Sequence, residues 1–472
     1  HINSQHKYHI SFPQLMKYLL FLLFLHSVVF VNARNILFIV SDDLKADALG
    51  CYGNSVAHTP SIDRLAESGT LFENAYCQGT WCAPSRASFM RGRYVGKNEI
   101  TWGAHFQKNG YSSTRVGKIF HMRVPGDIIA GTDGQDVPAC WSAKFNMPGK
   151  EAHTPGNYAC LNLNKFTNDL GGRESTKMPN RMFVTVNYEG DGSDQPDWKA
   201  ATKSIELLNK FKSEKQPFFL AVGLIRPHYP NVAPKQYFDR YPLERIRLPF
   251  VPEDDWEDMP GVAISKSNSK RYGIDKYPNN QKRMWAGYLA TVTFVDEQIG
   301  RILQELEKLD LNQNTTVIFT SDHGYLLGEH NFWQKGNLRE EVTRVPLIIR
   351  TPSSQVKRTK SIVELVDLFP TACKLAGLPI PKSVQGRSLV PMLKDSNLKY
   401  EKSALSFVSK GTSLRTANWA YMKYRDGTEE LYDMKNDPQQ FSNLANQAKF
   451  RNQLRSLRDL FSKRTKDLTY NQ

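Results

Sequence analysis

Asn35-Ile36-Leu37-Phe38-Ile39-Val40-Ser41-Asp42-Asp43 is a short, unbroken apolar run, rich in β-branched residues, that stops on two adjacent carboxylates. Such a run reads as a strand buried on both faces of a parallel sheet. Open α/β sheets place their ligand sites at the carboxyl ends of their strands, which is where Asp42 and Asp43 fall. Thr316-Val317-Ile318-Phe319-Thr320-Ser321-Asp322-His323-Gly324 repeats the pattern far downstream. Two acids at a strand end are ordinarily just solvated. Two such strands in a chain that also carries the cysteine motif described below favour a shared metal site. Clustered carboxylates need a hard cation, and oxygen donors suit Ca²⁺ or Mg²⁺. Asp42, Asp43 and Asp322 are the expected ligands. His323 is a soft partner for so hard an ion, and on ligand chemistry alone it stands as a neighbour.

The elements around these strands suit a doubly wound sheet. Arg283 to Leu309 holds a 3.6-residue apolar period through Trp285, Leu289, Val292, Val295, Ile299, Ile302, Leu303 and Leu306, and it leads straight into the second strand. Thr59-Pro60-Ser61, with Ile62, Leu65 and Ala66 and a stop at Gly69, has the form of a short helix. Gly126 to Asp197 is rich in Gly, Pro, Asn and Asp and reads as long loops over the site. Beyond Thr351 the pattern shortens to three brief strands (413–416, 421–424 and 430–433) and a basic helix after Ala448. The expected fold is α/β: a large mixed, mostly parallel sheet flanked by helices, with a smaller C-terminal antiparallel-sheet subdomain. No internal repeat or low-complexity run interrupts it.

Cys82-Ala83-Pro84-Ser85-Arg86, followed by Phe89-Met90-Arg91-Gly92-Arg93, reads as a turn entering a helix. Position 82 then lies at a helix N-terminus, where free N–H groups and the dipole favour an anion. Arg86, one turn on, adds a planar and permanently charged donor fork to the same face. The plainer reading is a buried or disulfide-bonded cysteine at a helix start.

With its company, the motif resembles the signature of the type I sulfatases of the alkaline-phosphatase-like superfamily, and within them the iduronate-2-sulfatase group. The likeness runs from about Asn35 to at least Pro381. It takes in Asp42-Asp43-Leu44, Gly50-Cys51-Tyr52-Gly53, the Cys82 motif and Gly117-Lys118-Ile119-Phe120-His121. It continues through Pro217–Gly223, Arg226-Pro227-His228, Ser321–Gly324, Gly328-Glu329-His330 with Lys335, and Arg344–Ile348. The resemblance implies that residues 34–350 form the catalytic domain and 351–472 the C-terminal subdomain. It further implies that Cys82 is oxidised to Cα-formylglycine by the formylglycine-generating enzyme during secretion. One Ca²⁺ per chain would be held by Asp42, Asp43, residue 82, Asp322 and His323, so the resemblance restores a histidine that ligand chemistry left aside.

A sulfate ester is a weak electrophile with a poor leaving group, so catalysis needs a strong nucleophile, positive charge on the sulfuryl oxygens and a proton for the departing oxygen. By resemblance, hydrated formylglycine at 82 is the nucleophile, and Arg86, Lys118 and Lys335 hold the sulfuryl oxygens. His228, with Lys335, protonates the leaving group, and His121 takes the proton that expels sulfate and restores the aldehyde. The plainer readings are a solvated Lys335, a His121 that merely shares a helix face with Lys118, and a His228 rigidified by its flanking prolines. The implied substrate is a terminal 2-sulfated iduronate of heparan or dermatan sulfate. Its carboxylate needs a further basic subsite, to which Arg415 is a candidate contributor. One departure is Met90-Arg91-Gly92-Arg93 where the signature usually closes Leu-Thr-Gly-Arg, so Arg91 bears on how completely Cys82 is converted.

The chain of 472 residues carries 62 Lys and Arg against 47 Asp and Glu, a formal charge of +15. From Met16, the order Met16-Lys17, an apolar run from Tyr18 to Phe30, and Val31-Asn32-Ala33 is that of a secretory signal peptide, with residues 1–33 removed. That apolar run falls short of the roughly 20 residues a membrane span requires, and no later segment reaches it. Loss of Lys7 and Lys17 leaves +13, which favours polyanions; in a lysosomal or secreted setting these would be sulfated glycosaminoglycans. Nothing resembles a nucleic-acid recognition motif. Conversion of Cys82 leaves an odd number from 6 cysteines, with Cys140 and Cys160 the expected disulfide and Cys51, Cys77 and Cys373 unassigned. Asn314-Thr315-Thr316 is the expected glycosylation site. His58 and His105 lack ligand neighbours, and Thr132–Asp136 lacks the spacing of an EF-hand loop.

Three other functions compete: an arylsulfatase or N-sulfoglucosamine sulfatase, a phosphatase or phosphodiesterase of the same superfamily, and a non-catalytic glycosaminoglycan-binding homologue. The phosphatase reading calls for a Ser or Thr nucleophile and a dinuclear Zn²⁺ site, against the Cys82 motif.

Overall fold

The computed structural model describes residues 35–94, 100–173, 180–354, 357–395, 398 and 403–468. The expected signal peptide lies outside them. Eight strands form the main sheet. In spatial order they are Lys357–Glu364, Thr70–Tyr76, Arg344–Arg350, Thr315–Ser321, Asn35–Asp42, Phe218–Pro227, Ser112–Gly117 and Ala143–Phe145. The pairings from Thr315–Ser321 across to Ala143–Phe145 are parallel, and Arg344–Arg350 runs antiparallel to both its neighbours. This is the mixed, mostly parallel sheet that the sequence implied.

Its central strand shows why the apolar run is unbroken. Leu37 and Ile39 enter one core layer, with Val222, Val317 and Ile299; Ile36, Phe38 and Val40 enter the other, with Phe219, Ile318 and Phe369. Each such side chain contributes about 1.5–3 kcal/mol when fully buried. The first layer is closed by helices Pro196–Glu214 and Pro278–Lys308, the second by Cys82–Arg91, Trp102–Lys108 and Leu368–Leu375.

Register then assembles the site. Asn35 pairs with Thr315 and Ser41 with Ser321, so the acids after each strand arrive side by side. On the other flank Asp42 pairs with Pro227, which delivers His228 to the same sheet end. Gly117 pairs with Gly223 one strand further out, and Lys118 N–H donates to the Gly223 carbonyl at 2.9 Å. A Cβ on Gly223 would lie 1.9 Å from the Lys118 carbonyl oxygen; only glycine permits that approach.

A second antiparallel sheet of Ala404–Val408, Gly411–Arg415, Trp419–Tyr424 and Glu429–Asp433 forms the C-terminal subdomain, covered by helix Arg451–Thr465 through Leu454 and Leu457. It docks beside the Cys82 helix, because Phe407 N–H donates to the Gln78 carbonyl at 2.9 Å.

Four expectations need correction. The domain boundary after residue 350 is not where the main sheet ends, since Lys357–Glu364 is its edge strand and pairs in parallel with Thr70–Tyr76. The loops of 126–197 contain sheet structure: Asn157–Cys160, Lys165–Thr167 and Val184–Tyr188 pair with one another and with Asn231–Pro234. The long helix begins at Pro278 rather than Arg283. No disulfide joins Cys140 and Cys160. They sit in separate apolar clusters, Cys140 against Gly103 and Cys160 with its thiol on Asn162 Oδ1 at 3.4 Å.

Candidate active site

Cys82 opens the helix Cys82–Arg91, as the motif implied, and Gly92 closes it in the left-handed conformation. Its buried Sγ lies 3.2 Å from Lys335 Nζ, 3.3 Å from His323 Nε2, 3.8 Å from Asp43 Oδ1 and 4.0 Å from Lys118 Nζ. Elements nearly the whole length of the main domain apart therefore converge on one sulfur atom.

Arg86 ties the acids together. Its Nε donates to Asp322 Oδ2 at 2.8 Å and one terminal nitrogen to Asp42 Oδ1 at 2.9 Å, while the other donates to the Lys118 and Ile119 carbonyls at 2.6 and 3.0 Å. Four of the five N–H groups are thus used in positioning. Asp42 Oδ2 accepts from Lys118 Nζ at 2.5 Å, and Asp43 Oδ1 from Lys335 Nζ at 2.5 Å. Asp43 itself sits at φ 62°, where its N–H donates to Asp322 Oδ1 at 3.1 Å.

The charges at the site cancel. Asp42, Asp43 and Asp322 oppose Arg86, Lys118 and Lys335, all of them buried. Burial works to raise Asp42, but Lys118 and then Arg86 overcome it and hold the carboxyl well below its ordinary range. Burial pushes Asp43 up, and the neighbouring Asp42 and Asp322 add to the rise against Lys335 and His323. Burial works to lower Lys335, but Asp43 and its other anionic neighbours together overcome it and hold the ammonium well above its ordinary value. Burial, and then Asp42, push the Cys82 thiol well up, so an unmodified cysteine here is a poor nucleophile.

A cation fits this cluster on two observations. Asp43 Oδ2 is buried and has no hydrogen-bond partner, a costly state for a carboxylate oxygen unless something else satisfies it. His323 Nδ1 bonds the Gly324 carbonyl at 3.0 Å, which leaves the Nε2 lone pair facing the sulfur. Asp42, Asp43, Cys82 and His323 offer ligand atoms all within 4.8 Å of one another. Asp322 stands just outside that set, its oxygens taken by Arg86 and by the Asp43 and His323 N–H groups. A divalent ion here would leave the pocket with two net positive charges, suited to an anionic substrate.

Two histidines flank the cluster. His228 lies between cis peptide bonds at Arg226–Pro227 and Tyr229–Pro230. Its Nδ1 bonds the Tyr229 carbonyl at 2.6 Å and its Nε2 points at Asp43 Oδ2, 3.7 Å away. Burial, then Lys335, holds it well below the usual histidine range, so it is neutral. Burial, then Lys118, lowers His121 to about 4, and its Nδ1 is buried without a partner.

The structure also gives roles to residues to which the sequence assigned none. Ser85 Oγ donates to the Asp322 carbonyl at 2.5 Å, and Tyr288 Oη to the Asp43 carbonyl at 2.7 Å. Arg226 clamps the His228 turn, donating to the His228 carbonyl at 3.2 Å and to Glu151 at 2.9 Å. Tyr288 carried no signal, being one more apolar position on a periodic helix.

Other candidates lie elsewhere. Arg415 does not reach the cluster: its guanidinium grips Glu340 at 3.1 and 3.4 Å and lies over the Tyr76 ring. The expectation of a free carboxylate clamp is corrected on that ground, because the fork is already filled. Asn314 is half-buried in the turn before its strand and accepts from Asn35 Nδ2 at 3.1 Å. His105 bonds the Pro379 carbonyl at 2.8 Å, and His58 is exposed.

The fold and this charge-compensated pocket suit a hydrolase of anionic esters, and comparison narrows it to sulfuric esters by giving the family. The sulfatase family matches residues 34–123 and 140–378, and the N-sulphoglucosamine sulphohydrolase C-terminal family matches 328–467. The chain belongs to the sulfatase family. It is similar to a sulfatase of Formosa agariphila, at 31% identity over 92% of this chain and 87% of that one. It is similar also to the iduronate 2-sulfatase of Mus musculus, at 33% identity over 74% of this chain and 70% of the relative. Among solved structures, a phosphonate monoester hydrolase from Silicibacter pomeroyi shares the fold, with a TM-score of 0.74 and 21% identity over 92% of this chain and 96% of its own.

Proposed function

We propose that the chain removes the 2-O-sulfate from terminal iduronate of heparan or dermatan sulfate, acting exolytically with formylglycine at position 82 and one Ca²⁺. The observation that carries this reading is the convergence of Lys335, His323, Asp43 and Lys118 on Cys82 Sγ. An inert buried thiol has no use for such neighbours, whereas a hydrated aldehyde at the same place is a nucleophile. Asp42, Asp43, residue 82, Asp322 and His323 would hold the ion, Asp322 through the lone pairs that Arg86 and the Asp43 and His323 N–H groups leave, and the ion would supply positive charge to the nucleophile and the sulfuryl oxygens.

The remaining steps fall to the protein's own side chains. Lys118 and Lys335 present ammonium groups to the sulfuryl oxygens. Arg86 fixes the carboxylates and has one N–H left for substrate. Lys335 carries the proton for the departing oxygen, and His228 stands beside it, neutral, with its Nε2 free. His121, neutral above about pH 4, accepts the proton whose loss expels sulfate. The relative named for iduronate 2-sulfate favours iduronate, while the C-terminal family is named for N-sulphoglucosamine. Synthesis through the secretory pathway, with a lysosomal or secreted destination and a glycan on Asn314, belongs to the same reading.

Two measurements test it. The tryptic peptide spanning residue 82, from a secretory host, is expected to be roughly 18 Da lighter than its thiol form, the exchange of a thiol for an aldehyde. Sulfate release is then compared on a 2-sulfoiduronide, an N-sulfoglucosaminide and a small aryl sulfate, with the first expected to be the best substrate. Turnover of the aryl sulfate alone would remove the iduronate assignment, and a wholly unmodified Cys82 would remove the mechanism.

A further inference from the structure

A cleft of about 180 Å³ opens beside the nucleophile position, between the 262–267 segment, residues 335–338 and the 408–410 turn of the C-terminal sheet. Lys335 lines it, and Lys335 Nζ is 3.2 Å from Cys82 Sγ. Trp81, the residue before the nucleophile, forms one wall and is 43% exposed, large for a tryptophan. The ring lies against Gly336, where a Cβ would meet it at 2.5 Å and where φ is +76°. Glycine at 336 is thus required twice over, by conformation and by the indole, and the aromatic face is held in place. Gly336 N–H also donates to the Thr80 carbonyl at 2.9 Å, fixing the two segments together.

The charge of this cleft is one-sided. Its lining carries Lys266, Lys335 and Lys410 and, among the described residues, no carboxylate. Lys266 is exposed, and Lys410 Nζ reaches only the Val262 carbonyl, at 3.3 Å. Lysines on a protein surface usually stand near acids; here two of them share a cleft with an exposed indole instead. A flat apolar platform with uncompensated cations in the same cleft fits a pyranose that bears an anionic substituent.

We propose that this cleft is the specificity subsite for a second anionic group on the substrate sugar. The ring lies on Trp81, and its carboxylate, or a further sulfate, meets Lys266 and Lys410. The assignment rests on the sulfatase reading and gives it the basic subsite that Arg415 does not supply. Both candidate sugars satisfy the same chemistry, a pyranose with two negative groups, and the test separates them.

The experiment is a cycle between protein and substrate. Wild type, Lys266→Met, Lys410→Met and Trp81→Ala are assayed on a 2-sulfoiduronide and its carboxyl-reduced counterpart, and on an N,6-disulfoglucosaminide and its N-sulfo counterpart. Removing the second anion should raise KM of wild type about tenfold in the pair that is the natural class, and less than twofold in either lysine variant. Lys266→Arg should restore the wild-type difference. Trp81→Ala should raise KM for both members of a pair, whereas Trp81→Phe keeps a flat face and most of the affinity. A second anion that matters equally in wild type and in both lysine variants overturns the proposal. If no sulfate ester is turned over, the sulfatase mechanism has failed. The subsite is then judged on Cys82→Ala by calorimetric titration of the same four sugars, where a lysine-dependent preference for the dianion supports it and no preference overturns it.

Discussion

Two acidic clusters in this molecule look alike in sequence and differ in what they leave unsatisfied. Asp42, Asp43 and Asp322 gather at the ends of two paired strands; Asp133 and Asp136 lie in the Thr132–Asp136 loop, which has a superficial likeness to a calcium loop. In the loop, a fully buried Arg115 donates to Asp136 at 2.9 Å and to Asp133 at 3.0 Å, and Trp141 and Val137 add N–H donors to Asp136. That cluster is closed. At the strand ends three cations also balance three acids, yet Asp43 Oδ2 remains buried without a partner. Acid density therefore does not identify an ion site; uncompensated donor capacity does.

The sharpest way to break this distinction is to neutralise one acid in each cluster. Asp43→Asn keeps the side-chain shape but weakens the ion site and the anchor of Lys335. Turnover of the best sulfate ester should fall on the order of 10²–10³-fold. Asp136→Ala, by contrast, should leave turnover within about twofold while costing about 2 kcal/mol of stability through the buried donors it orphans. Comparable losses of turnover in both variants would mean that the loop cluster also serves the reaction.

A smaller effect sharpens the same contrast. Calcium at a hundredfold excess over its Kd should stabilise the protein by about 2.7 kcal/mol, since the ion binds only the folded site. Thermal melting with and without Ca²⁺ reads this directly. The rise should vanish in Asp43→Asn and persist in Asp136→Ala. A rise lost only in Asp136→Ala would move the ion to the loop.

The strands that build the site were legible because each is buried on both faces, so that apolar residues run without alternation from Ile36 to Val40 and from Val317 to Phe319. The C-terminal sheet was legible in three of its strands, but Ala404–Val408 was not among the strands expected there. The Asn157–Cys160 sheet was hidden because its strands are 3 to 5 residues long, too short for periodicity to register among Gly and Pro. Residue types named Cys82 and Asp42, and the family resemblance added Lys118 and Lys335, but their distances depend on strand register, which a linear pattern does not contain. The pairing of Cys140 with Cys160 failed for the same reason: proximity along a loop says nothing of where two Cβ atoms point. Arg86 shows a subtler gap, a residue expected on substrate that spends most of its donors holding the acids in place.

The last contrast between the clusters is in acid. Beside the ion site, burial and then Lys118 depress His121 to about 4 from an ordinary value near 6.5. The unfolded chain therefore binds the extra proton first, so this group's contribution to stability is full above about pH 6.5 and is lost as pH falls toward 4. A bound cation would depress the group further, because it too disfavours the imidazolium. In the loop, hydrogen bonds from Lys144 and then Asn146 draw Asp133 below the usual carboxylate value. Its contribution holds at any pH above about 4 and is lost only below that. The turnover limb follows the histidine: with the cation bound, kcat should hold down to about 4 and fall only below it, where His121 becomes protonated and cannot accept the proton that expels sulfate. His121→Gln should lower kcat and flatten that limb, while Asp133→Asn should leave the limb in place. An acid limb unchanged in His121→Gln would transfer the proton-accepting role to another group, with His228, which burial and then Lys335 also hold below the usual histidine range, the next to be substituted.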